Sequence, residues 1–269
     1  MTQILHYRPS ELVPYINWTY FYHTWHTKAK QSPELKDDAM QLLKEMEGQQ
    51  AHAIVLLCGA NSDGDDIVLE NGKRLPMLRQ QHGDTCLCWA DFLLPLSSGQ
   101  RDTIGLFATS VEENKEEEQR TLVNESDDYQ QLLRQTLADR LAEAAAERMH
   151  EEVRRNIWGY ARDERLTPDE LFKEKYTGRR PAVGYPSLPD QSLNFLIDDI
   201  LDMKRIGISL TESGAMRPHA STSGLLFAHP QARHFAIGNI GSDQLNDYAR
   251  RRGLPVETMQ KFLSLNIII

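Results

Sequence analysis

From Asp127 to Trp158 the chain contains neither glycine nor proline, and Leu133, Leu137, Leu141, Ala145, Met149 and Val153 recur every fourth residue. That spacing puts one apolar stripe along a single helix. At 1.5 Å per residue the helix would span on the order of 48 Å, enough to cross a whole domain. A rod of that length is a spine on which everything else must pack. It therefore favours one domain over residues 1–269 rather than two small ones.

The remaining signals fall into blocks. Ser32-Pro33 opens a helix that runs to Met46, with Leu35, Ala39, Leu42, Leu43 and Met46 on one face. Strands are expected at Ala53–Cys58 and Ile67–Glu70, then, after a turn at Asn71-Gly72, at Arg74–Leu78. Pro76 limits that last strand to a sheet edge. Further strands are expected at Cys86–Ala90 and Thr103–Thr109. After them Glu112–Glu118 reads as a solvated acidic run. Thr167-Pro168-Asp169-Glu170 is a capping box opening a short helix into Tyr176. Asp190 is expected to cap a helix whose apolar face is Leu193, Leu196, Ile197 and Ile200. Strands follow at Ile208–Thr211, Gly224–Ala228 and His234–Ile240, and Ser242 starts a final helix pair divided at Gly253-Leu254-Pro255. Strands and helices come in runs instead of alternating one for one. This points to an α+β, or irregular α/β, fold with mainly antiparallel pairing.

Composition removes several functions. The formal charge of −9 disfavours a nucleic-acid-binding face. No apolar run approaches the ~20 residues of a membrane helix. The N-terminus lacks a basic-then-apolar secretory signal, and only 3 cysteines occur, which fits a reducing compartment. A cytoplasmic protein is expected. Cys86-x-Cys88 has no second pair, His23-x-x-His26 has no nearby partner, and His150-Glu151 lacks the second histidine of a zinc-protease helix. No metal site is expected. Glycine-rich phosphate loops and Gly-x-Ser-x-Gly are also missing.

The run Tyr176-Thr177-Gly178-Arg179-Arg180-Pro181-Ala182-Val183-Gly184-Tyr185-Pro186 is different in kind. Two prolines and a glycine shape an extended loop with free backbone groups beside a guanidinium. A planar donor fork suits a ligand carboxylate. A structural turn between helices is the plainer reading of the loop taken alone.

That loop is one of several combinations. Trp158-Gly159-Tyr160 ends the long helix, and Thr211-Glu212-Ser213-x-Ala215-Met216 precedes Ser221-x-Ser223-Gly224. Tyr15-Ile16-Asn17-Trp18-Thr19, Ala90-Asp91-Phe92, Asp127-Asp128-Tyr129, Leu137-Ala138-Asp139-Arg140-Leu141-Ala142-Glu143, His229-Pro230 and Asp247-Tyr248-Ala249-Arg250-Arg251 complete the set. In this order, over nearly the whole chain, they resemble the reactivation domain of cobalamin-dependent methionine synthase. The modules for homocysteine, folate and cobalamin that normally precede that domain are not in this sequence.

The resemblance implies a single C-shaped domain with a twisted, mainly antiparallel sheet, a spine helix and flanking helices. It implies a module that binds S-adenosylmethionine and supports reductive methylation of cob(II)alamin, as a subunit or module of a methyltransferase rather than a complete enzyme. Cobalamin would be supplied by a partner chain, and a flavodoxin-like protein is the implied electron donor. The residues carried over for the ligand are Asn17, Arg180, Ala182, Gly184, Tyr185, His234 and Phe235. Asp139, Glu143 and Glu174 are carried over as contacts to the partner domain. Asn17 replaces the family's aspartate, His234-Phe235 a pair of tyrosines, and Arg217 an aromatic residue. The first two departures motivate an alternative, a docking protein for a corrinoid domain whose S-adenosylmethionine binding is lost or weakened. An acidic flavodoxin would need a basic patch, for which Arg154-Arg155 and Arg250-Arg251-Arg252 are the candidates.

Overall fold

A strand that the sequence pattern does not announce begins the fold: β1 (Thr2–Tyr7) lies antiparallel along the first half of β2 (Ala51–Asp63). Between them come the short helices α1 (Pro9–Leu12) and α2 (Trp18–Thr24), then α3 (Pro33–Glu45). The computed structural model describes residues 2–28, 32–112 and 128–267. The helix start expected at Asp127 and nearly all of the acidic run after Glu112 lie outside these residues.

β2 is the organising strand. One edge holds β1 over its first half and β3 (Asp66–Leu69) over its second, and β4 (Arg74–Pro76) follows β3 outward. Its other edge pairs with β5 (Asp102–Val111) from Ala51↔Val111 to Ala60↔Asp102. Pro76 sits on the outermost strand, where its missing N–H costs no ladder bond.

α4 (Asp128–Glu152) is the expected spine, and it continues through a π-helical turn at Val153–Ile157. Leu133, Leu137, Leu141, Ala145, Met149 and Val153 are all buried, and the run Ala144-Ala145-Ala146 lets the helix approach the sheet closely. Successive strand residues point to opposite faces. Ala53, Val55 and Phe107 therefore pack under α4, while Ile54, Leu106 and Ala108 face a second core. Burial on both faces explains the unbroken apolar run Ala53–Cys58.

The second core is closed by α6 (Leu193–Leu201), which follows α5 (Pro168–Phe172). The small ribbon of β6 (Ser209–Leu210) and β7 (Met216–Arg217) comes next, and β8 (Ser221–Leu226) then joins the free edge of β5. Asp190 acts one turn ahead of α6, where its Oδ1 accepts the Ser192 N–H at 2.9 Å. The chain ends in α7 (Ser242–Arg252) and α8 (Val256–Phe262), packed on Leu78, Ile237 and Ile240.

Two expected strands are absent. Around Cys86–Ala90 there is one bridge, Arg79↔Cys88, and then a 3-10 turn at Trp89–Phe92. The Asp91 carboxylate accepts the Cys88 N–H at 2.9 Å and so turns the chain. His234–Ile240 joins no ladder. Its backbone is tied instead to loops, Ile237 N donating to Pro186 O and Ile240 N to Asn266 O. The apolar residues there reach into cores without any strand partner. The result is one domain of mixed helices and a curled antiparallel sheet.

Candidate functional site

The Arg180 loop runs along the outside of β8 as an irregular extra strand. Arg179 and Phe227 exchange both backbone bonds at 2.9 Å, Leu225 N donates to Pro181 O at 3.0 Å, and Val183 N donates to Ser223 O at 2.9 Å. Gly224 makes this possible: a Cβ there would lie 2.1 Å from Pro181 O. At the far end Gly184, at φ +89, turns the chain and puts Tyr185 on the rim.

Beneath the loop lies a cleft of about 590 Å³, bounded by the start of α2, the charged side of α4, the loop itself and residues 234–236. Arg180 is its most unusual feature. The side chain is only 13% exposed, lies over the Phe107 ring at 5.4 Å, and has one ionic contact, Glu147 Oε2 at 3.5 Å. Its Nε is buried with no hydrogen-bond partner. A buried guanidinium with idle donors costs free energy unless something else takes them. Arg140, also lining the cleft, likewise has a buried, unpartnered Nε.

The cleft gathers most of the residues singled out in the sequence. Asn17, Arg180, Ala182, Tyr185, His234 and Phe235 line it, and so do Glu143 and Glu174. Gly184 shapes the turn without lining the cleft. The Tyr185 hydroxyl reaches across to α4 and donates to Glu143 Oε1 at 2.8 Å. Glu143 therefore faces the ligand set, while Asp139, one turn earlier, lies outside and meets His219 Nδ1 at 3.2 Å. Glu174, a non-glycine residue at φ +51, stands between His234 Nε2 and Arg179 Nε, 3.3 Å from each. Its interaction with His234 is the main cause holding its pKa below the usual carboxylate value.

Asn17 serves two masters. It caps α2, its Oδ1 accepting the N–H groups of Thr19 at 3.1 Å and Tyr20 at 3.4 Å. That leaves the amide NH₂ as its uncommitted group.

Several members of the site were not assigned to it in the sequence. Trp89 stacks on Phe227 at 5.0 Å, meets Phe235 at 5.1 Å and donates Nε1–H to Ser187 O at 2.9 Å, which anchors the base of the loop. Behind Arg180 lie Glu147, His150 and Arg154, and Arg154 is fully buried on Glu164 and Tyr176. A signal existed. Positions 140, 143, 147, 150 and 154 form a second, polar stripe on a helix already paired with the sheet through its apolar stripe.

The two basic runs do not form an exposed patch. Arg154 is buried, Arg155 pairs with Glu151, Arg251 pairs with Asp66 and Asp247, and Arg252 pairs with Asp190. Carboxylates one turn away (Glu151, Asp247) or on other segments (Glu164, Asp66, Asp190) claim these guanidinium groups for the fold, and Arg250, paired with Asp247, is the member of its run that stays exposed. Among the described residues no helix is long and apolar enough to cross a membrane.

Comparison with known proteins agrees with this geometry. Residues 9–253 match the model of the family described as "Vitamin B12 dependent methionine synthase, activation domain". A solved structure described as the MetH reactivation domain bound to AdoHcy is similar at 35% identity and a TM-score of 0.94, over 100% of this chain and 91% of that one. With nearly the whole chain matched in both sequence and fold, the protein belongs to the family of activation domains of vitamin B12-dependent methionine synthases.

Proposed function

We propose that the cleft binds S-adenosylmethionine, with Arg180 holding the ligand's carboxylate, and that the module presents the ligand to cobalamin carried by a partner chain. The observation that carries this reading is Arg180 itself: a buried fork of donors with one long contact, aimed into a cleft of ligand size. The bound ligand would supply an electrophilic methyl group, so the protein's contribution is positioning and exclusion of water. Ala182 is fixed by its bridge to Gly224 and offers backbone groups beside the carboxylate. Tyr185, tied to Glu143, would wall one side, while Phe235 on Trp89 supplies an apolar surface opposite. The partner in this reading is a cobalamin-binding methionine synthase chain, which Asp139 at the cleft's outer edge would face. A flavodoxin-like donor would supply the electron for reactivation, and the setting would be cytoplasmic.

A second reading has its own support. Because the Asn17 oxygen already caps α2, and Glu174 already occupies His234, two positions expected to greet the ligand are engaged. A docking protein that grips a corrinoid domain without the ligand would tolerate that.

Titration calorimetry with S-adenosylhomocysteine separates the two. Binding that Arg180→Ala weakens by roughly 10- to 150-fold, the equivalent of losing a charge-assisted pair of about 1.5–3 kcal/mol, supports the first. No binding with or without a cobalamin-loaded partner, together with unchanged capture of that partner, supports the second.

A further inference from the structure

The polar stripe of α4 places Glu147 one turn beyond Glu143, deep in the cleft and only 13% exposed. Two arginines flank it. Oε2 lies 3.5 Å from Arg180 Nη2 and Oε1 lies 3.7 Å from Arg154 Nη1. Both separations exceed a good charge-assisted hydrogen bond. Arg154 has its own partner, since Glu164 receives Nε at 3.0 Å and Nη2 at 2.8 Å. Oε1 of Glu147 is buried without a hydrogen-bond partner, as Nε of Arg180 is. Anion and cation face each other, and neither is satisfied.

The surroundings decide what Glu147 does when Arg180 finds another anion. On α4, Glu143 is the nearest carboxylate toward the cleft mouth, and His150 is buried and kept neutral, burial and Arg154 pushing its pKa well down. From the segment after α5, Glu174 adds negative charge, Tyr176 adds none, and Arg179 pairs with Glu174. Burial holds the Glu147 pKa above the usual carboxylate value in spite of Arg180 and Arg154.

We propose that Glu147 is a placeholder that keeps the Arg180 guanidinium aimed into the cleft of the free protein, and that an arriving ligand carboxylate takes Arg180 from it while Glu147 takes up a proton from solvent. The inference rests on the reading that Arg180 binds a carboxylate. Charge balances: one carboxylate leaves the ion pair by protonation as another enters it. The ligand's charge and the loss of Arg180 both favour the neutral acid. The complex therefore holds more protons than the free protein. Affinity falls as pH rises between the Glu147 values of the two states, by up to about tenfold per pH unit for one whole proton, and is flat outside that window.

The experiment is titration calorimetry of the full chain with S-adenosylhomocysteine, in buffers of different ionisation enthalpy, across about pH 5 to 7. That range lies below the ~7.7–8.0 where an α-amino group titrates. Net uptake approaching one proton is expected, against none for 5′-methylthioadenosine, which lacks the carboxylate. Glu147→Gln should bind with pH-flat affinity and no uptake, and Glu147→Asp should restore part of it. Zero uptake or proton release by the unaltered chain overturns the inference, as does uptake that survives Glu147→Gln. Should Glu147→Gln not fold, the two-ligand contrast and Glu147→Asp still decide. Failure of S-adenosylhomocysteine to bind at all would refute the underlying reading instead.

Discussion

Two of the arginines that this protein buries in ion pairs, Arg252 and Arg180, do opposite jobs. Arg252 on α7 is 3% exposed against an Asp190 that is 1% exposed, with Nη1 bonded to Asp190 at 2.7 Å and Nη2 to Ser192 Oγ at 3.1 Å. Tyr248 donates to the same Asp190 oxygen at 2.8 Å. The Nε is unpartnered in both arginines, so the difference lies in the Nη groups: Arg180, at 13%, has one carboxylate contact, at 3.5 Å. A buried charge whose partners come from separate elements clamps those elements together. A buried charge left short of partners stores binding capacity. The first arrangement fastens the C-terminal helices to the loop before α6, and the second waits beneath the Arg180 loop.

The contrast is easiest to break through stability. Asp190→Ala strands Arg252 and the Tyr248 hydroxyl in a dry site, and removing one partner of a buried pair typically costs about 3–5 kcal/mol. Urea unfolding should show a loss of that size. Arg180→Ala should cost much less, because Glu147, already inclined to hold a proton, can become neutral once its cation is gone. Equal destabilisation by the two substitutions would end the distinction. Binding should reverse the order, with Arg180→Ala losing S-adenosylhomocysteine and a folded Asp190 variant such as Asp190→Asn keeping it.

How much of this could be read from the sequence depended on whether a residue's partners were near in the chain. The spine, the capping box at Thr167 and the edge placement of Pro76 rest on local periodicity and backbone chemistry. β1 did not show, because Thr2-Gln3-Ile4-Leu5-His6-Tyr7 becomes a strand only through pairing with Ala51–Leu56, far along the chain. His234–Ile240 misled for the opposite reason. Its apolar residues serve cores on either side while its backbone bonds to loops. In the site, the family resemblance picked out Arg180 and its loop. It did not show that Glu143 turns into the cleft, nor that Glu147 and Arg154 lie behind Arg180. Those placements follow from the azimuth of α4 once the sheet has claimed its other face.

Asn17 sharpens the comparison at smaller scale, since one side chain there is both a structural cap and a candidate binding group. Asn17→Asp adds the charge without removing the cap. At a helix N-terminus the carboxylate should stabilise by about 0.3–1 kcal/mol, visible as a raised unfolding midpoint. A carboxylate also has spare lone pairs for an ammonium. S-adenosylhomocysteine should bind about 2- to 5-fold more tightly, a gain of about 0.5–1 kcal/mol. Stabilisation without tighter binding would show that residue 17 belongs to the clamp class alone.

The smallest expected effect concerns Glu174, which shares features of both arginine sites: it is paired on two sides, yet it lies at the cleft rim in a left-handed backbone conformation. Its pKa is lowered in the folded chain, chiefly by His234 and then by the nearby arginines. A depressed carboxylate binds fewer protons folded than unfolded. Its contribution to stability is therefore present above the ordinary glutamate value of about 4.3 and is lost as pH falls through the folded value. The side chain is 40% exposed, so screening keeps the effect slight. Comparing Glu174→Gln with the unaltered chain in unfolding experiments should show stability curves that converge at low pH and separate above it. Since His234 is the main cause of that depression, the substitution His234→Gln should shrink the separation. A separation that the His234 replacement left unchanged would mean that Arg179, not His234, is the partner that matters, and would move Glu174 from the ligand rim to the structural clamps.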